Sequence, residues 1–200
     1  MNYLAKAVAA IALGGVIFMG IVPEGPINMT QANYESAKCN YVDLPSCDTN
    51  MYCYMDYRAI TNTESDQYRY THACYISEDG ILYYEEDGIR YYAAALGTAY
   101  ADCIGRKYKV TLECGEEFYI FVGDIKADSC TQDGHKGTYI KNYDGETCMN
   151  VVEFITYTPE MPQGVKRAGT YSFLKKFGGA YGNSGNISSM EKLGILKIKE

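Results

Sequence analysis

The stretch from Lys107 to Val122 constrains the fold more than any other part of the chain. Lys107, Lys109, Thr111 and Glu113 alternate with Tyr108, Val110, Leu112 and Cys114, and a period of two puts one set on a wet face and the other on a dry face of a strand. Gly115-Glu116 interrupts the run. Phe118, Ile120 and Val122 then share a face against Glu117, Tyr119 and Phe121. Two alternating runs joined by a short glycine-containing turn predict a β-hairpin.

The flanks extend the pattern. Gln67 to Ile76 reads as a strand, with Tyr68, Tyr70, His72, Cys74 and Ile76 on one side, and Asp79-Gly80 and Asp87-Gly88 are turn dipeptides bracketing Ile81 to Tyr84. With Ile89 to Leu96 as a third run, a β-meander is predicted before the hairpin. A short strand is expected at Thr138 to Lys141, and Asn150 to Tyr157 restores a β run that Pro159 and Pro162 close. The tail from Gly164 carries a candidate short helix, Ala168 to Phe177, then a glycine-rich stretch and a last segment, Leu193 to Lys199. The 21 tyrosines suit half-buried strands, and a length of 200 residues makes one domain the default. The expected fold is mainly β: a small closed or partly closed β-barrel within 66–160, after a cysteine-containing irregular lead-in at 33–65 and before a C-terminal extension at 161–200.

Eighteen Lys and Arg against 25 Asp and Glu give a formal charge of −7, which repels phosphate backbones and argues against a nucleic-acid partner. Ala7 to Val22 is uncharged and almost wholly apolar before Pro23-Glu24-Gly25-Pro26. That layout predicts export through a signal peptide within residues 1–32, with an uncleaved membrane anchor as the alternative; any membrane contact is expected through this segment alone. All eight cysteines, Cys39 to Cys148, follow it and in an exported chain read as a disulfide framework of undetermined pairing. There is no C-x-x-C pair, and His72 and His135 are the only histidines, so neither a metal nor another cofactor is expected. Asn28-Met29-Thr30 and Asn186-Ile187-Ser188 match the glycosylation pattern.

For chemistry, Asp124 stands out. Parity places it with Phe118, Ile120 and Val122, just past the end of a strand, where lost hydration raises a carboxyl pKa as a general acid requires. Glu153 shares a face with Val151 and Ile155; if it converges with Asp124, repulsion keeps one of the two protonated. The alternative is that Asp124 and Asp128 cap a turn and Glu153 faces water. Asp102-Cys103-Ile104-Gly105 superficially matches the Asp-Cys-Ser-Gly stretch of NlpC/P60 cell-wall peptidases, yet a strand rather than a helix follows Cys103. Cys130 with His135 is a second nucleophile-and-base candidate, set against disulfide formation by Cys130. His72 is expected to be a hydrogen-bonded core residue. Tyr83-Tyr84 and Tyr91-Tyr92 are candidates for a sugar- or peptide-stacking surface.

The segment from Ala95 to Ile155 resembles the small double-psi β-barrels of exported cell-wall enzymes, the rare lipoprotein A and 3D-domain group. The likeness is carried by Leu96-Gly97-Thr98, Tyr108-Lys109-Val110-Thr111-Leu112, Val122-Gly123-Asp124 and Val152-Glu153-Phe154-Ile155. The chain departs from the group in having Glu in the closing strand, Ile125-Lys126-Ala127-Asp128 in place of a glycine-rich turn, and eight cysteines. The resemblance implies cell-wall glycan as partner and a lytic, transglycosylase-like cleavage. Asp124 would act as acid then base, Glu153 or Asp128 would tune it, and Tyr100, Lys126 and His135 would contact substrate. The alternative is a non-catalytic, disulfide-stapled surface module that binds a glycan or a surface protein through its tyrosines.

Overall fold

The computed structural model describes residues 40–47, 49–51, 54–141, 147–178 and 185–199. Its strands in chain order are β1 (Thr49–Asn50), β2 (Tyr54–Asp56), β3 (Tyr75–Ile76), β4 (Leu82–Glu86), β5 (Ile89–Leu96), β6 (Arg106–Leu112), β7 (Glu117–Ile125), β8 (Thr138–Lys141), β9 (Thr147–Asn150), β10 (Glu153–Thr156) and β11 (Ile187–Ile195). The helices are α1 (Asp66–His72) and α2 (Gln163–Ala168). The fold is mainly β.

Alternation sets the hairpin where it is expected. Tyr108, Val110 and Leu112 of β6 are buried while Lys107, Lys109 and Thr111 are not, and Tyr108 pairs with Ile120 and Val110 with Phe118 across to antiparallel β7. The turn is made by Gly115, whose φ of +87° suits a residue without a Cβ. β7 then runs parallel to β5, so the hairpin sits against a parallel pair. The central sheet has the order β11-β6-β7-β5-β10-β2, with β4 and β3 added beyond the first half of β5. A second, three-stranded sheet has the order β1-β9-β8.

The central sheet is covered on both faces. Its broad face carries Tyr108, Val110, Leu112, Ile120 and Phe154, on which Phe118, Tyr171 and Phe177 close an aromatic cluster; the Phe154 ring centroid lies 4.8 Å from that of Phe177 and 5.4 Å from that of Tyr171. Its narrow face carries Leu82, Tyr91, Ala93, Phe121 and Ile155, with Tyr70 of α1 and Leu196 packed over them.

Several expectations are corrected. The sheet ends at β11 on one side and β2 on the other, and no closed barrel is found among the described residues. Gln67 to Ile76 is not one strand: Ser65 caps α1 by accepting from the Tyr68 N–H at 3.1 Å, and only Tyr75–Ile76 is extended. The tyrosine alternation that suggested a strand also fits a helix at spacing i, i+4, where the Tyr68 and His72 rings stack at 3.6 Å. The tail is neither mainly helical nor irregular. α2 ends at Ala168 because Gly169 adopts the left-handed C-cap at φ +69°, and residues 187–195 form β11, which pairs with β6. The expected run from Asn150 to Tyr157 is split between β9 and β10, which belong to different sheets. His72 is exposed rather than a core residue. Asn186 of the second glycosylation pattern is buried, its amide donating to Glu113 at 3.3 Å.

Cys47, Cys74, Cys103, Cys114 and Cys130 are free thiols. Cys39, Cys53, Asn28 and the whole apolar N-terminal segment lie outside the described residues. No described helix is long and apolar enough to cross a membrane.

Candidate functional site

The carboxyl ends of the parallel strands β5 and β7 gather most of the candidate residues. Along this pair Ala94 lies opposite Val122, but Ala95 lies opposite Asp124, so Gly123 is a β-bulge. A bulge inserts one residue and resets which face the following side chains take. Asp124 therefore does not share the broad face with Phe118, Ile120 and Val122, as unbroken parity predicts. It lies on the narrow face, where the Gln67 side chain of α1 bonds to it. A Cβ built on Gly123 would stand 2.7 Å from Ile155 Cδ1 and 3.4 Å from Thr71 Cγ2, so the bulge also brings strand backbone close beneath α1.

Asp124 is half-buried at the base of a recess of about 350 Å³, lined by Met55, Ile60, Thr61, Asn62, Ser65 and Gln67. Burial pushes its carboxyl above the usual carboxylate range; the Ile125 N–H and the Gln67 side chain oppose the shift by favouring the ionised form. Burial thus outweighs the two hydrogen bonds, and the net effect is upward.

Glu153 stands across β5 from Asp124. It also pairs with Ala95, so the two acids flank one alanine from neighbouring strands, two strand spacings or about 10 Å apart at Cα. Glu153 is tied to Lys126 Nζ at 3.5 Å, and that buried ammonium also donates to the Asn150 carbonyl at 3.2 Å. The expected mutual repulsion of Asp124 and Glu153 is replaced by an ion pair on one side and burial on the other. Lys126 is occupied within the protein, holding β9, β10 and the end of β7 together.

Asp128 and His135 form a third group. Asp128 Oδ1 accepts from Thr98 Oγ1 at 2.6 Å and faces His135 Nδ1 at 3.5 Å, while Thr131 Oγ1 lies 3.3 Å from the same ring nitrogen. The loop is shaped by Asp133 and His135 at positive φ, +50° and +66°, a costly conformation for residues other than glycine. Gly97 allows it to approach: a Cβ there would lie 2.0 Å from the His135 carbonyl oxygen. Cys130 is exposed, with its sulfur 3.9 Å from Ser129 Oγ.

Tyr100, expected to touch substrate, is a core residue. Its ring is buried, its hydroxyl donates to the Asp43 carbonyl at 3.1 Å, and its own carbonyl accepts from the Tyr108 hydroxyl. Burial and the neighbouring Asp102 carboxylate push the Cys103 thiol up, away from the thiolate that a nucleophile requires. Gln67 was concealed from sequence reasoning by the strand assignment of its segment; the Ser65 cap was the signal that could have revealed it. Among the described residues no group of His, Cys, Asp and Glu could hold a metal ion. Comparison of the chain with protein-family models, curated proteins and solved structures finds no match.

Proposed function

We propose that this chain is an exported protein that cleaves cell-wall glycan, with Asp124 as the proton-carrying group. The observation that carries the reading is the placement of Asp124: a half-buried carboxyl with a raised proton affinity, facing a recess lined by the hydroxyl and amide side chains of Thr61, Asn62, Ser65 and Gln67. Such a lining suits the hydroxyls of a sugar, and a protonated carboxyl is what a glycosidic oxygen needs as its bond to the anomeric carbon breaks. In a lytic cleavage the resulting Asp124 carboxylate takes the proton from the sugar's own primary hydroxyl, whose oxygen closes on the anomeric carbon. The proton returns to Asp124, no water is consumed, and no second carboxylate is required.

Gln67 acts as a positioning residue by holding the carboxyl of Asp124. Lys126, just past the end of β7, neutralises Glu153 two strands away on β10, which keeps a second free negative charge away from the site. The leading apolar segment and its export role belong to the same proposal.

The test is incubation of the purified protein with peptidoglycan, followed by mass spectrometry. Anhydro-muropeptides are expected from the parent and lost at least a hundredfold in Asp124→Asn, the usual scale for removing a general acid. Equal rates from parent and Asp124→Asn would remove Asp124 from the chemistry, and an inert parent would remove the cleavage.

A further inference from the structure

A second surface lies at the opposite, amino-terminal end of β5. Register places Tyr75 of β3 opposite Tyr83 of β4, and Tyr83 opposite Tyr92 of β5. Directly opposed residues share a face, so three tyrosines form one row across three strands, about 10 Å from first to last. The inner end is walled by Phe177, whose ring centroid lies 5.9 Å from that of Tyr92. The outer end is open: Tyr75 is 63% exposed and its ring lies 5.7 Å from that of Tyr83. Beside the row is a recess of about 390 Å³, whose lining includes Arg90, Tyr92, Glu116 and Lys176.

The polar groups here are charge-balanced. The Arg90 guanidinium sits 4.0 Å over the Tyr83 ring and pairs with Glu85 at 3.2 Å; Lys176 Nζ lies 5.1 Å from the Tyr92 centroid and pairs with Asp79. Each cation already has its carboxylate, and Glu116 adds a further acceptor, so the site has no net positive field to draw an anion. What it does present is the exposed ring of Tyr75 at the end of the row, with Arg90 lying over the half-buried Tyr83 and Lys176 beside the half-buried Tyr92, so that one open ring face is flanked by both donors and acceptors. A pyranose offers the complement: an apolar C–H face to lie on a ring, and hydroxyls at its edge that both donate and accept.

We infer that the row Tyr75, Tyr83 and Tyr92, with Arg90 and Lys176, is a binding subsite for an uncharged glycan. It deepens the glycan reading of the proposed function, but it does not use Asp124, and glycan held here would be bound apart from the site of cleavage.

Isothermal titration of the full chain with chitotetraose, and separately with tetragalacturonate as the anionic comparison, tests it. Chitotetraose is expected to bind the parent and Asp124→Asn equally, and to bind Tyr75→Ala and Arg90→Ala at least fivefold more weakly, about what one aromatic or cation–π contact is worth. Both side chains are well exposed, and an unchanged circular dichroism spectrum confirms that the variants fold. Absence of chitotetraose binding by the parent, binding indifferent to both substitutions, or tighter binding of tetragalacturonate would each overturn the inference. Loss of binding in Asp124→Asn alone would assign the glycan to the Asp124 recess instead. Cleavage that fails while this binding persists removes only the proposed enzymatic activity.

Discussion

The two faces of the central sheet are built from the same strands and differ in what they can tolerate. The broad face is sealed by large apolar side chains, with Phe118, Phe154, Tyr171 and Phe177 packed ring against ring. The narrow face is thinner, is covered by the two turns of α1 and by Leu196, and gives way at one end to Asp124, Lys126 and Glu153. On this face the ionisable groups collect at the end where the apolar cover stops. The aromatic core and the half-buried Asp124 carboxyl lie on opposite faces of one sheet, and substitutions on each should show the difference.

The largest effect is expected on the broad face. Phe154 is fully buried and touches each of the other three rings of the cluster. Phe154→Ala leaves a cavity whose walls are other rigid rings, which collapse poorly, and should cost about 3–5 kcal/mol in urea unfolding. A cost below about 1 kcal/mol would mean that this cluster does not hold the fold, and the contrast between the faces would fail.

The bulge is the next place to break the contrast. Gly123→Ala would bring a methyl group to 2.7 Å from Ile155 Cδ1, and overpacking of this kind costs about 1–3 kcal/mol. Ile155→Val removes that terminal carbon, so the double variant should recover part of the loss, and the coupling in a double-mutant cycle should be favourable. Additive losses would show that the strain of Gly123→Ala lies in the backbone and not in this contact.

Gly123 also marks where the sequence stopped being legible. The hairpin was readable because β6 and the first half of β7 keep strict alternation between a wet and a dry face. Parity then failed at Asp124: a bulge costs one residue of phase, and nothing in Val122-Gly123-Asp124 distinguishes a bulge glycine from an ordinary strand residue. Glu153 does share a face with Ile155, since β10 has no such interruption, but not with Val151, which precedes β10 and packs into the broad-face core. The Lys126 ion pair was invisible because it joins residues 27 positions apart whose meeting depends on the order of β7, β5 and β10. α1 was missed because Tyr68, Tyr70 and His72 satisfy a period of two while Tyr68 and His72 also satisfy a helical spacing, and the Ser65 cap decides between them. β11 was missed because its run, Ile-Ser-Ser-Met-Glu-Lys-Leu-Gly-Ile, has weak alternation and gains its order from β6.

The smallest effect is the one that sharpens the contrast most, because its sign is unusual. Burial raises the proton affinity of Asp124 in the folded chain above its unfolded value, so folding favours the protonated form. The neutral carboxyl is fully present below the unfolded pKa of about 4, and the associated stability is lost as pH rises through the higher folded value. At pH 7 the folded protein bears the cost of a half-buried charge. Asp124→Asn removes that charge, and the amide oxygen can still accept from the Ile125 N–H. It should therefore raise the urea midpoint at pH 7 by a small amount that vanishes as pH is lowered towards 3.5, while any glycan-cleaving activity falls. Destabilisation at pH 7, or a gain that is the same at both pH values, would show that Asp124 is a structural hydrogen-bonding group and would remove it from the proposed chemistry.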